Sequence, residues 1–190
     1  MRRTLVFLIA MLLLAPTVQG AKNGRTEKRM EKAAKKMEKE LRKEGWRLFG
    51  KADTLKLALL WHYKKMERVG ENAREMTGTA STDNPRRMDE LHRRAELNAE
   101  ASYVKARHSY IVSKAITELG LTDGGKGEFE RFYVESRLNA DGLVRNELNE
   151  SYAMIRRTAE GQTEIMVFFI VDLNAAADSD IRQFRKWQGK

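Results

Sequence analysis

The chain opens with an unbroken apolar run, Leu5 to Ala15, behind Arg2 and Arg3 and ahead of Pro16 and the small-residue exit Val18-Gln19-Gly20-Ala21. Eleven apolar residues fall short of the roughly 20 needed to cross a bilayer as a helix. This order predicts a secretory signal peptide over residues 1–20, cleaved between Gly20 and Ala21. The pattern then changes abruptly. Residues 22–44 are nearly all Lys, Arg, Glu, Ala and Met, which are strong helix formers. Met30, Ala34, Met37 and Leu41 recur at spacings of four, three and four, a thin apolar seam on a charged rod. Glu31 with Lys35 and Glu38 with Arg42 sit one turn apart in the favourable orientation. A seam this narrow predicts a largely solvated helix that docks lightly on the domain, or pairs with another helix or an anionic surface.

Gly45 stops that helix, and Trp46, Leu48 and Phe49 begin a short extended segment. Asp53 or Thr54 then caps a helix through about Val69, with apolar residues around most of its circumference and therefore an expectation of deep burial. The stretch from Gly70 to Asn84 is polar, glycine-bearing and rich in Thr and Ser, and reads as a flexible loop. Asn84-Pro85 is a helix start signal. The helix that follows runs to Leu119 without an internal Pro or Gly. Its expected features are a stripe of Leu97, Ala101, Val104, Ile111 and Ala115 with His108 in the same row, a row of small residues (Ala95, Ala99, Ser102, Ala106) facing a sheet or helix, and a solvated charged start over residues 86–96. Gly120 to Gly127 reads as a turn, followed by a helix from about Glu128 that continues past or kinks at Asp141-Gly142. From Ser151 the period becomes two. Residues 151–158 and 163–172 predict a hairpin across Ala159-Glu160-Gly161-Gln162. The second run is apolar on both faces and belongs mid-sheet, covered on both sides. On residues 151–158, alternation puts Tyr152, Met154 and Arg156 on one face and Ala153, Ile155 and Arg157 on the other. Ala175 to Gln188 closes the chain as a helix, with Ile181, Phe184 and Trp187 inward.

The resulting expectation is an α+β fold, with long helices packed on a small, mainly antiparallel sheet and a charged N-terminal helix. Its divisions are the signal (1–20), that helix (21–44) and a single α+β domain (45–190). The 170 residues left after cleavage are enough for a core without staples, in keeping with a complete absence of cysteine. The missing cysteine excludes thiol catalysis, thiolate metal binding and acylation at the cleavage site. Formal charge is +9, and +7 once Arg2 and Arg3 are removed. A basic surface attracts polyanions, and export turns that expectation from nucleic acid toward the cell envelope: a periplasmic or secreted protein, not membrane-spanning after signal removal.

Chemistry-bearing motifs are sparse. Gly120-Leu121-Thr122-Asp123-Gly124-Gly125-Lys126-Gly127 has the glycines and lysine of a phosphate-binding loop, but Gly127 stands where a Ser or Thr must hold magnesium, and a helix precedes it. His62, His92 and His108 lie far apart in sequence, outside any common metal-ligand spacing. His92 reads as solvated, and His62 and His108 as boundary residues with one satisfied nitrogen. No nucleophile elbow appears, and carboxylates on the helix after residue 127 interleave with arginines as ordinary surface pairs. The expectation is therefore no catalytic residue, no metal and no cofactor. The candidate binding residues are Lys28, Lys32, Lys35, Lys36 and Lys39 on the rod, with Tyr152 and Arg156 as the best basic-aromatic grouping. If residues 151–158 are an edge strand, their arginines also guard against unwanted pairing.

Three features together resemble a known family: Lys39-Glu40-Leu41-Arg42-Lys43-Glu44-Gly45-Trp46 soon after a signal peptide, the alanine-dotted helix from Arg94 to Leu119, and the charged strand, turn and apolar strand from Tyr152 to Asp172. This looks like the lipoprotein-20 type of exported envelope protein of Gram-negative bacteria, over about residues 39–60 and 94–173. The resemblance implies a compact α+β module without an established enzymatic activity. The lipobox cysteine of that type is absent here, so lipid anchoring does not carry over. Two functional readings stand: a non-catalytic envelope module that binds another envelope protein, or a polyanion binder that uses the basic N-terminal helix on lipopolysaccharide or anionic lipid.

Overall fold

The structure, a computed structural model, describes residues 23–50, 54–84, 86–138 and 148–189. The expected signal peptide lies outside these residues, as do Asp53, Pro85 and the Asp141-Gly142 kink. In chain order the elements are helix α1 (Asn23–Lys43), strand β1 (Arg47–Leu48), helix α2 (Leu55–Val69), strand β2 (Ala73–Thr82), helix α3 (Met88–Leu119), helix α4 (Asp123–Leu138), strands β3 (Asn149–Arg157) and β4 (Thr163–Asp172), and helix α5 (Leu173–Gln188). The strands form one antiparallel sheet in the order β1-β3-β4-β2. The fold is α+β, with long helices on a small antiparallel sheet.

Local signals account for many of the boundaries. Thr54 Oγ1 accepts from the Leu57 N–H to cap α2, and Asp172 accepts from the Asn174 and Ala175 N–H groups to start α5. Gly120 ends α3 in the left-handed region, at φ 61°. The β3–β4 hairpin turns where expected, with the Thr158 N–H donating to the Gln162 carbonyl and the Gly161 N–H to Thr158. Strand β4 is central. Ile165, Val167, Phe169 and Val171 face α3, while Phe168 and Met166 face the α1–α2 layer. Alternation on β3 also follows the expected faces: Tyr152 and Met154 lie on the α2 side, Ala153 and Ile155 on the α3 side.

Several expectations are corrected. The supposed loop from Gly70 to Asn84 contains β2, paired with β4 without interruption from Ala73↔Asp172 to Thr82↔Thr163. Met76, Gly78 and Ala80 alternate there with Thr77, Thr79 and Ser81, a period-two pattern hidden by small and polar side chains. Gly78 is required by packing: a Cβ at this position would lie 2.0 Å from the Ala95 carbonyl oxygen and 2.5 Å from the Ala99 amide nitrogen. Strand β3 is internal, because β1 pairs with Met154 and Ile155 and the Phe49 N–H donates to the Ala153 carbonyl at 2.9 Å. Helix α4 begins at Asp123 and incorporates three of the four glycines read as a turn. Helix α2 is less enclosed than expected, with Trp61 57% exposed.

Helix α3 carries the largest correction. Its buried residues are Leu91, Ala95, Ala99, Tyr103, Arg107, Ile111 and Ala115 in steps of four, with Val112 beside them. Leu97 and Val104 of the expected stripe are exposed, as is Ser102, and Leu91 is buried within the start expected to be solvated. A step of four advances about 40° around the helix axis, so over these 25 residues the buried row turns through roughly 240°. Its first half lies on the sheet, and its second half meets α4 and α5. There Ile111, Val112, Ala115, Phe129, Phe132, Ile181 and Phe184 form a second core. Arg107 is almost fully buried at its edge, donating to Asp180 Oδ2 at 2.7 Å and to the Tyr133 hydroxyl at 3.2 Å.

Candidate functional site

Three polar constellations flank the sheet. The outermost is the free face of α1. Ala34 and Leu41 are buried, and Met37 packs with them against Trp46, Leu55 and Leu59. The apolar seam is thus consumed by docking. Lys28, Lys32, Lys35, Lys36 and Lys39 are all exposed, and successive 100° steps place them within an arc of roughly 100° opposite that seam. No acidic residue falls in this arc, and among the described residues none of the five lysines is ion-paired. Three acids of this segment are engaged away from that arc. Glu27 accepts from Lys64 of α2 at 2.5 Å, and this hydrogen bond and charge hold its carboxyl below the usual range. Glu38 pairs with Arg42 at 3.0 Å, and Glu44 lies 3.8 Å from Arg156.

The two residues of the basic-aromatic grouping have structural posts instead of free surface. Tyr152 is buried, stacked on Phe168 with ring centroids 4.4 Å apart. Burial, then the nearby Glu75 carboxylate, push its hydroxyl well above the ordinary phenol value. Arg156 lies over the Trp46 ring at 4.3 Å and pairs with Glu164 at 2.7 Å. It joins the end of α1 to the hairpin. Alternation identified the face shared by Tyr152 and Arg156, but what covers that face includes Trp46 and His62, about a hundred positions away.

The second constellation lies between α2, β2 and β3. His62 is 2% exposed. Its Nδ1 is 3.0 Å from Ser151 Oγ and its Nε2 is 2.7 Å from Glu75 Oε2. Both ring nitrogens are engaged, where the sequence led us to expect one. Hydroxyl, imidazole and carboxylate stand in the order of a hydrolase relay, but through the opposite nitrogens: in that relay the base faces the nucleophile with Nε2. Neither the hollow along β1 nor the one beside the β3–β4 turn is lined by Ser151, His62 or Glu75. The trio pins three elements together.

The third constellation is on the other side of the sheet. His92 Nε2 is 2.9 Å from Glu150 Oε2, and His92 Nδ1 is 3.9 Å from Glu96 Oε1. His92 is half-buried instead of solvated, with Phe49 stacked on it at 5.3 Å. Burial, reinforced by Glu96 and opposed by His92, raises the Glu150 carboxyl above its ordinary value. The irregularity in β3 between Glu150 and Tyr152 places Ser151 in reach of His62 while Glu150 meets His92. Adjacent residues thereby serve opposite faces. No sequence spacing announces either cluster, since His62 and Ser151 are 89 positions apart. The one local clue was His92 with Glu96 at i,i+4, which places both on one helix face.

Among the described residues, no helix is long and apolar enough to cross a membrane. No family model, curated protein or solved structure matches the chain, so its own residues carry the functional argument.

Proposed function

We propose that this chain is a non-catalytic exported envelope module that holds a phosphate-bearing anionic lipid surface through α1. The observation that carries this reading is the segregation of Lys28, Lys32, Lys35, Lys36 and Lys39 on one exposed, acid-free arc. Glu27 and Glu44 pair with Lys64 and Arg156 of other elements, and among the described residues the five lysines face solvent without an ion pair. The apolar side of the helix is already covered, so adsorption is electrostatic, without insertion of a hydrophobic face. Each lysine near an anionic membrane contributes about 1 kcal/mol, which makes five on one face a usable affinity.

The test is flotation of the purified protein with vesicles containing anionic phospholipid or lipopolysaccharide, against vesicles of neutral lipid. Replacing all five lysines with glutamine is expected to weaken binding at least about 100-fold, with an unchanged unfolding midpoint. Raising salt from 50 to 200 mM should weaken the parent protein steeply and the variant little. Binding that ignores both salt and the lysines would remove the lipid reading and favour a protein partner.

A further inference from the structure

We propose that His92, Glu96 and Glu150 form a binding site for one divalent cation of the zinc class. This goes beyond the lipid-surface reading and shares no residue with it. One ligand atom from each side chain lies within 4.8 Å of the other two. Tetrahedral zinc with ligand bonds of about 2.0–2.1 Å needs ligand atoms roughly 3.3 Å apart, so the three groups must draw together, and Glu96, which now faces Nδ1, must swing toward the Nε2 edge that Glu150 meets. The imidazole selects zinc and its neighbours over calcium and magnesium, which take oxygen-only shells. Three protein ligands leave a fourth position for water.

The surroundings hold these groups as a ligand set. His92 Nε2 is shielded from solvent and faces Glu150 Oε2 at 2.9 Å, with no other polar atom of the described residues on it. A cation between them would satisfy the nitrogen and the carboxylate at once. Phe49 stacks on the imidazole with an interplanar angle of 28° and limits its rotation. Arg93 donates to Glu96 Oε2 at 2.9 Å, fixing that carboxylate with Oε1 toward His92, as an outer-shell partner does for a metal ligand. Two carboxylates are thereby held near one imidazole. Their mutual repulsion is a cost to the metal-free fold that a bound cation reverses. His92 and Glu96 come from α3 and Glu150 from β3, so the ion would clamp the start of the long helix to the sheet.

The experiment is calorimetric titration of the chelator-stripped full chain with zinc chloride, and separately with calcium and magnesium chloride. We expect one equivalent of zinc bound more tightly than about 100 μM, and no saturable uptake of calcium or magnesium in that range. His92→Ala and Glu150→Gln should each weaken zinc binding at least about tenfold. Glu75→Gln, on the opposite face of the sheet, should leave it unchanged. Circular dichroism and a cooperative unfolding transition check that each variant is folded, and Glu96→Gln supplies a further ligand variant if one is not. Absence of saturable zinc binding to the parent chain, or equal affinity in folded ligand variants, overturns the proposal.

Discussion

The two faces of the sheet are built from the same strands yet solve packing in opposite ways. Toward α3 the closest contact is made by small groups: Gly78 of β2 lies under Ala95 and Ala99, and Ile165, Val167, Phe169 and Val171 of β4 share the core beside them. Toward α1 and α2 the layer is built of larger side chains. It contains Tyr152, Phe168 and Trp46, with His62 and Glu75 satisfying one another among the aromatics. Close approach at Gly78 leaves no room for a side chain there; farther along the same core Tyr103 is buried, and at the rim His92 meets Glu150. On the α1–α2 side, the buried polar groups hydrogen-bond one another. The comparison teaches that the α3 face depends on the absence of atoms and the α2 face on the presence of particular ones.

The sharpest way to break the comparison is to add atoms where none fit. Gly78→Val drives a side chain into the α3 backbone and should destabilise the protein by about 3 kcal/mol or more, measured by urea unfolding. A near-normal midpoint would mean that α3 can lift off the sheet at little cost. The complementary change removes atoms on the other face. His62→Ala leaves Glu75 and Ser151 without their shared partner and opens a cavity, for an expected loss of about 2–4 kcal/mol. If the loss is below about 0.5 kcal/mol, the polar pin is ornamental and the aromatics alone hold α2.

The smallest effect sharpens the account of the α3 rim. The folded state holds the Glu150 proton more tightly than the unfolded chain does, because burial and Glu96 raise that carboxyl. Between the ordinary glutamate value and the raised one, metal-free stability therefore falls as pH rises, and below that interval the penalty is absent. Glu150→Gln removes the slope, so its unfolding midpoint should exceed the parent's near pH 7 and match it near pH 4. A midpoint difference that does not change across this range contradicts the burial argument. The sign also separates this residue from an ordinary stabilising contact, since the variant that should lose zinc should gain metal-free stability.

How much was legible beforehand follows from the range of the signals. The hairpin of β3 and β4, the start of α2 at Asp53 or Thr54 and the inward face of α5 are set by residues a few positions apart and were legible, whereas the cap at Asp172, three residues ahead of the expected start of α5, was not. Strand β2 escaped because an edge strand packed tightly under a helix needs small side chains, and Gly and Ala between threonines look like a loop. The stripe on α3 was misplaced because a fixed helical face was assumed, whereas the helix serves two cores and its buried side rotates along its length. Of the expected binding residues, the five lysines are exposed as a face must be, but Tyr152 and Arg156 are committed to the interior and to Trp46.

By itself, the order of amino acids determined the α+β class, the charged helix with its thin seam, the central apolar strand and the segregation of lysines from acids on α1. These depend on local propensity and on side chains repeating around one axis or across one strand. Only the tertiary structure decided which histidine met which carboxylate, which row of α3 was buried, and that residues 150 and 151 face opposite ways. Those outcomes depend on distances between segments distant in sequence, set by how closely a helix can approach a sheet, and no single segment contains that information.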